Sequence, residues 1–468
     1  MHLEQLYLGC LAQASYLIAD EASGVAVVVD PRRDVDVYLE KAANRGWRIE
    51  HVYLTHFHAD FLAGHLELRE RTGARIHLGA RAEAEFEFVP EADGTSLELG
   101  PRVRIEALET PGHTPEGITL LVYDRSDSEE RLHAALTGDT LFIGDVGRPD
   151  LLASVGFTQA ELGRMLFHSL HTKLAALPDE TLVYPAHGAG SLCGKNLSDA
   201  TSSTLGEQRR TNYALQPMSE DEFLAVVTAD QPAAPAYFVH DAVLNRKERP
   251  LLDRAVAAGR TSLDLEALLA AMNRGAQVVD ARDPEAFAEG HLVGSISLGL
   301  DGKFATWAGT VLDLERPVLV ITDPGREEEA VVRLARIGID SVEGFLAGGA
   351  ARLADRPELV RRFGRLDPQE LASARAGSDP PLVLDVRAPG EHAAGHLEDV
   401  LHVPLGELAK RLDEIPGDRS VVVHCAGGYR SVIAISLLEG AGFEGLRDLR
   451  GGFSAWESSG QPVVSPAT

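Results

Sequence analysis

The chain has 468 residues, too many for one ordinary hydrophobic core and enough for about three domains. Its 44 basic and 71 acidic residues leave a formal charge of −27, which repels nucleic acid and anionic membranes. No basic leader precedes an apolar run and no apolar stretch is long enough to cross a bilayer, so the expectation is a cytoplasmic protein with neither nucleic acid nor membrane as partner.

Residues 14–30 read as two strands around a turn at 21–24, the second carried by Val25-Ala26-Val27-Val28-Val29, a continuous apolar run of the buried kind. Val35, Leu39, Ala42 and Ala43 then recur at helical spacing and Gly46 ends that helix, so the chain returns as a strand over 49–54. That strand delivers Thr55-His56-Phe57-His58-Ala59-Asp60-Phe61, in which two imidazoles and a carboxylate fall within five residues. Neutral imidazole and carboxylate gathered in one cleft suit zinc, iron or manganese. Three later segments repeat the grammar of a short apolar run followed at once by a potential ligand, ending at His113, Asp139 and His187. Any single histidine is usually a surface or hydrogen-bonded core residue; four strand ends converging on one place are a metal site. Between these segments come a helix over 65–71 stopped by Gly73 and strands over 75–78, 103–108, 118–123 and 132–136, too many for a purely parallel sheet. Two mixed sheets with helices outside fit best.

Two loops accompany the ligands. In residues 144–151, Arg148 either holds a substrate carboxylate with its planar fork or forms a salt bridge with Asp145 or Asp150. The glycine-rich loop 188–195 offers Lys195 to an anionic thiol carrier. Cys193 beside it is either an inert small core residue or a persulfide carrier, while Cys10 reads as core. Three cysteines at no paired spacing argue against a disulfide framework. From 203 to 252 the chain is polar and helical, a closing helix and a connector.

An internal repeat follows. Val278-Val279-Asp280-Ala281-Arg282-Asp283-Pro284 matches Val383-Leu384-Asp385-Val386-Arg387-Ala388-Pro389, Gly290-His291-Leu292 matches Gly395-His396-Leu397, and the copies end at Gly348-Gly349 and Gly451-Gly452. Each copy alternates strands with helices, as a small parallel α/β domain does. The expected domains are 1–255, 256–358 and 359–468. The copies differ after one strand: the second has Cys425-Ala426-Gly427-Gly428-Tyr429-Arg430-Ser431, whereas the first has Asp323 in place of the cysteine and Glu328 in place of the arginine. A cysteine on a glycine-rich loop leading into a helix gains backbone donors, the helix dipole and a guanidinium, a setting that favours bound anionic sulfur. The first copy has the wrong charges for that and reads as a silent spacer or docking module.

The motif around His56, with Gly112-His113, Gly138-Asp139 and Ala186-His187, resembles the metallo-β-lactamase superfamily, which implies an αββα sandwich with a metal cleft at one edge. In that superfamily's two-metal hydrolases a histidine follows the aspartate of the motif; here the position is Phe61, which cannot coordinate. Residues 144–151 resemble the persulfide dioxygenases, one-iron enzymes whose ligands fall on His56, His113 and Asp139, so that His58, Asp60 and His187 become groups that orient the ligand loops. The second copy resembles an active rhodanese: four residues separate Cys425 from Arg430, where phosphatase loops have five. The whole is similar to the bacterial persulfide dioxygenase and rhodanese fusion proteins. That resemblance implies oxidation of a low-molecular-weight thiol persulfide to sulfite with O₂ at one Fe(II) per chain, and exchange of sulfur between sulfite and thiosulfate through Cys425 and Arg430. The alternatives are a zinc-dependent glyoxalase II-type thioester hydrolase with a sulfurtransferase tail, and a non-enzymatic sulfur-relay or persulfide-sensing protein. A homo-oligomer is compatible with any of them.

Overall fold

A computed structural model describes residues 1–126, 130–151, 156–229, 231 and 234–465. Two compact units emerge, one built from Met1–Arg254 together with Ala335–Gly338, the other from Ala255–Leu334 and the chain from Ile339 onward. Among the described residues no helix is long and apolar enough to cross a membrane.

The first unit holds two six-stranded mixed sheets. In one, His2–Leu8, Gln13–Asp20 and Val25–Val29 run antiparallel, after which Val25–Val29, Arg48–Tyr53 and Arg75–Gly79 run parallel through helical crossovers. Gln13–Asp20 is buried along its whole length, as a central strand covered on both faces requires. In the other, Ser96–Glu98, Val103–Glu109, Ile118–Asp124 and Arg131–Gly138 form an antiparallel meander, and Leu182–Pro185 joins parallel to the last of them. Tyr16, Ile18, Val27 and Val29 from the first sheet and Val103, Ile105, Leu120 and Val122 from the second share one core, the interior of the sandwich. The first two helices end at glycines: Asp36–Arg45 closes at Gly46, left-handed at φ 69°, whose N–H satisfies the Ala42 and Ala43 carbonyls, and His65–Thr72 closes at Gly73. His2–Leu8, Val89–Glu91 and Ser96–Glu98 add to the strands read from the sequence; each borders a sheet or lies near its edge, where the apolar signal is weak. Cys10, expected in the core, is half-buried in the turn after the first strand.

The second unit contains two five-stranded sheets of like order. Val342–Leu346, Val318–Ile321, Gln277–Asp280 and Ser295–Ser297 lie side by side in parallel, and Leu446–Leu449, Val421–His424, Leu382–Asp385 and Leu401–His402 repeat them. The shared Asp-x-Arg of the repeat is explained here. Asp280 meets Arg282 at 2.9 and 2.6 Å, and the buried Asp385 takes Arg387 through Nε at 3.0 Å and Nη2 at 2.7 Å, so each strand end is locked to the loop after it. The Gly-Gly pairs also have a cause. A Cβ on Gly349, at φ 61°, would sit 2.6 Å from the Thr322 carbonyl, and one on Gly452, at φ 57°, 2.3 Å from that of Cys425. Both copies therefore close a helix start directly onto the loop that follows their central strand.

Against the cost of burial, Arg387 and the imidazoles of His424 and His392 hold the Asp385 carboxyl well below the usual range. A depressed carboxylate stabilises the fold above its unfolded pKa and loses that contribution as pH falls. Asp385→Ala is expected to cost about 3 kcal/mol at neutral pH, because Arg387 is left buried without its partner, with a deficit that shrinks on acidification. Hydrogen exchange of Val421–His424 across pH checks it; a deficit independent of pH would assign the loss to packing.

Candidate metal centre and cysteine loop

His56, His58 and Asp60 leave the strand Arg48–Tyr53 in one buried loop, while His113, Asp139 and His187 follow Val103–Glu109, Arg131–Gly138 and Leu182–Pro185. The four strand ends bring their ligand atoms together. Those of His56, His113 and Asp139 lie within 4.8 Å of one another, with His113 Nε2 at 3.4 Å and His56 Nε2 at 3.8 Å from Asp139 Oδ2. His58, Asp60 and His187 make a second group, and Asp139, His187 and Cys193 meet the same spacing.

Hydrogen bonds decide which nitrogen faces the site. His113 Nδ1 donates to the Arg148 carbonyl at 2.9 Å, leaving Nε2 its lone pair. The Thr55 hydroxyl gives its proton to Asp30 at 2.8 Å, so its oxygen accepts from His56 Nδ1 at 3.0 Å and fixes the same tautomer there. Burial, followed by the neighbouring imidazoles His58, His113 and His187, holds His56 well below the ordinary histidine pKa, hence neutral. Both Asp139 oxygens are buried, and no hydrogen-bond donor among the described residues reaches them. Two lone-pair nitrogens and a bare buried carboxylate fit a divalent metal, and would be costly to bury with nothing between them.

The second group is built differently. His58 Nε2 lies 3.0 Å from Asp30 Oδ1, which outweighs burial and raises its pKa. Asp60, its carboxyl raised by burial, stands 3.5 Å from His187 Nε2. Phe61 fills the space beside them, its ring centroid 4.4 Å from that of His58 and 6.4 Å from that of His187.

The flanking loops spend their charges within the protein. Arg148 takes the salt bridge: its guanidinium grips Asp150 at 2.7 and 2.6 Å and reaches the Leu192 carbonyl at 3.2 Å. The Lys195 ammonium donates to the Val226 and Ala229 carbonyls at 2.7 and 3.2 Å. Cys193 is buried with its sulfur beside Asp139 and His187, and burial together with Asp60 and Asp139 pushes its thiol pKa up.

Several residues essential to the geometry carry no sequence signal. Asp30, left-handed at φ 50°, accepts from the Thr55 N–H and hydroxyl at 2.8 Å each. Glu116 accepts from the Phe57 N–H at 3.0 Å. Asn245, after the helix Tyr237–Leu244, donates to the His58 and Phe61 carbonyls and accepts from the Ala63 N–H, at 2.8, 2.8 and 2.9 Å. Gly147 lies so close that a Cβ there would be 1.9 Å from the Asp139 carbonyl.

In the second unit, Cys425 follows the buried strand Val421–His424 and is itself buried. The Gly428 N–H points at its sulfur from 3.1 Å, the Ser431 hydroxyl lies at 3.6 Å, and the helix Arg430–Gly440 starts there. Arg430 makes a two-pronged pair with Glu391 at 2.6 and 2.7 Å. In the first copy Asp323 is exposed, and Glu328 is an exposed partner of Arg260.

The Metallo-beta-lactamase superfamily profile matches residues 8–187, and the Rhodanese-like domain profile matches 264–354 and 367–459. The mitochondrial persulfide dioxygenase ETHE1 of Bos taurus is 32% identical over 231 residues, 48% of this chain and 80% of that protein. A hydroxyacylglutathione hydrolase of Cereibacter sphaeroides is 37% identical over 193 residues, 40% of this chain and 67% of the relative. The crystal structure of a metallo-beta-lactamase from Staphylococcus aureus is 30% identical and superposes over 74% of this chain and 98% of its own with a TM-score of 0.65.

Asn245→Ala strips partners from three buried backbone groups, so a loss of about 3 kcal/mol is expected in the loop that carries His56 and His58. The variant should surrender its metal to a chelator far faster than the parent although every ligand is intact. Metal content after timed dialysis measures this; equal retention would show that the loop holds its own shape.

Proposed function

Because this chain belongs to the metallo-beta-lactamase superfamily through its first half and to the rhodanese-like family through its second, we propose that it joins two sulfur reactions. The first is dioxygen-dependent oxidation of a low-molecular-weight persulfide at one Fe(II) held by His56, His113 and Asp139; the second is sulfur transfer at Cys425. In the first, persulfide anion, dioxygen and water give thiol, sulfite and a proton: the terminal sulfur is oxidised, its bond to the inner sulfur breaks, and dioxygen is reduced. Bound iron supplies the redox chemistry that lets dioxygen react with that sulfur.

The chain's residues do the rest. Thr55 and the Arg148 carbonyl keep His56 and His113 turned with their ε nitrogens inward. Phe61 supports the reading most strongly, because its ring beside His58 and His187 occupies space that a further ligand of a second metal would need. In the second reaction the Cys425 sulfur attacks the outer sulfur of thiosulfate, forming a persulfide on the cysteine while sulfite leaves with the electron pair of the broken bond; the reverse remakes thiosulfate. The Gly428 N–H faces the sulfur that carries the charge.

A second reading, zinc-dependent thioester hydrolysis, draws on the group formed by His58, Asp60 and His187 and on the likeness to a hydroxyacylglutathione hydrolase. Metal analysis separates the two. Anaerobically purified protein is expected to hold one iron per chain, to consume oxygen when given a persulfide, and to lose both with His113→Ala; two metals per chain, or full activity with zinc and no oxygen, would establish the hydrolase.

Cys425→Ser is expected to abolish sulfur transfer and leave oxygen uptake on a supplied persulfide unchanged, so that sulfite replaces thiosulfate as the main product. Asp323→Ala should alter neither rate. A folded Asp323 variant without transferase activity would give the first copy its own chemistry.

A further inference from the structure

Arg148 and Lys195 direct their charges to Asp150 and to two backbone carbonyls. A third cation near the ligand loop does not. Arg246 follows Asn245, whose amide holds the His58 and Phe61 carbonyls, and its own carbonyl accepts from the Glu85 N–H at 2.8 Å, so the backbone beneath it is fixed against that loop. The guanidinium lies over the ring of Phe57, the residue between His56 and His58, 5.0 Å from its centroid. Among the described residues no carboxylate or carbonyl accepts from it, and its Nε is buried without an acceptor.

Arg246 also lines an apolar pocket, whose other walls include Ala59, Leu151, and Phe238, Val239 and Val243 of the helix Tyr237–Leu244. Ala59 stands between His58 and Asp60. Leu151 ends the loop in which Gly147 packs on Asp139 and the Arg148 carbonyl orients His113, so two walls come from the loops of the metal centre. Val239 and Val243 are 48% and 40% exposed, which opens the helical wall to solvent. Among the described lining residues Arg246 alone is charged. An aliphatic stem gains by burial against such walls, while a second charge on the same molecule would be desolvated there with no partner. We propose that this pocket takes the carrier part of the persulfide, its aliphatic stem along Val239 and Val243 and its terminal carboxylate or phosphate on the Arg246 guanidinium, whose planar fork suits two oxygens of either anion. This rests on a persulfide as the substrate of the metal centre.

The test uses the full chain loaded with its metal and kept without oxygen. Calorimetry compares thiols on three-carbon and six-carbon stems that end in a carboxylate, a phosphate or an uncharged hydroxyl, and the anion preferred identifies the group the carrier bears. The parent should bind one of the anionic thiols roughly tenfold more tightly than the hydroxyl thiol of the same stem, the size of one charge-assisted hydrogen bond. Arg246→Met should erase that preference and leave the hydroxyl thiols unchanged, and Arg246→Lys should keep part of it. Val243→Glu, at an exposed position three residues before Arg246, gives the guanidinium a partner and should erase the preference with Arg246 itself in place. With oxygen, the KM of the corresponding anionic persulfide should rise about tenfold in Arg246→Met with kcat little changed. No anion preference in the parent, a preference that survives in Arg246→Met, or a loss for hydroxyl thiols as large as for anionic ones would overturn the proposal. Persulfides that draw no oxygen uptake from the parent would instead refute the persulfide reading, and the calorimetric preference would still decide whether Arg246 holds an anion in this pocket.

Discussion

The first half of the molecule depends on one buried carboxylate. Asp30 ends the strand Val25–Val29 in a left-handed conformation that L side chains avoid, and its two oxygens take the Thr55 N–H, the Thr55 hydroxyl and an ion-pair contact with His58. Its own backbone is tied as well, the N–H to the Tyr53 carbonyl at 2.9 Å and the carbonyl to Gln13 at 2.7 Å. Because the Thr55 hydroxyl is spent on Asp30, it can only accept from His56, and the tautomer of His56 is thus set by a carboxylate that does not touch it. Gly138, just before Asp139, is part of the same packing, since a Cβ there would come within 2.6 Å of the Thr55 hydroxyl. The end of the strand, the loop that carries His56 and His58, and the approach to Asp139 share one hub.

Much of this was legible in the sequence because strand ends advertise themselves: an apolar run stops and a histidine or aspartate follows, four times over. Asp30 also follows an apolar run, yet it reads as an ordinary turn residue, since nothing local shows that its carboxylate will face Thr55 across a crossover. Asn245 is less visible still. It lies in a polar connector nearly two hundred positions from the loop it supports, and only folding reveals that its amide completes three backbone groups. Proximity in sequence does not fix direction in space: Lys195 and Cys193 are two residues apart, but the Lys195 ammonium meets the Val226 carbonyl while the Cys193 sulfur lies beside Asp139 and His187.

The repeat shows which parts of a duplicated domain are scaffold and which are chemistry. Asp-x-Arg and Gly-Gly occur in both copies because both are solutions to backbone problems, a strand end that must be locked and a helix start that must approach a carbonyl where no Cβ fits. Neither depends on sulfur. The positions of Cys425 and Arg430 carry no such constraint in the first copy, where Asp323 and Glu328 stand at the surface.

The second copy's cysteine loop leans on the first copy at the turn 299–302, through Tyr429. The turn before Phe304 is clamped by a buried arginine from the neighbouring helix and pressed against Tyr429 from the other side, so its position is over-determined by the parallel sheet behind it. The cost of moving that turn is the cost of disturbing the core around Arg333, far larger than that of bending a surface loop.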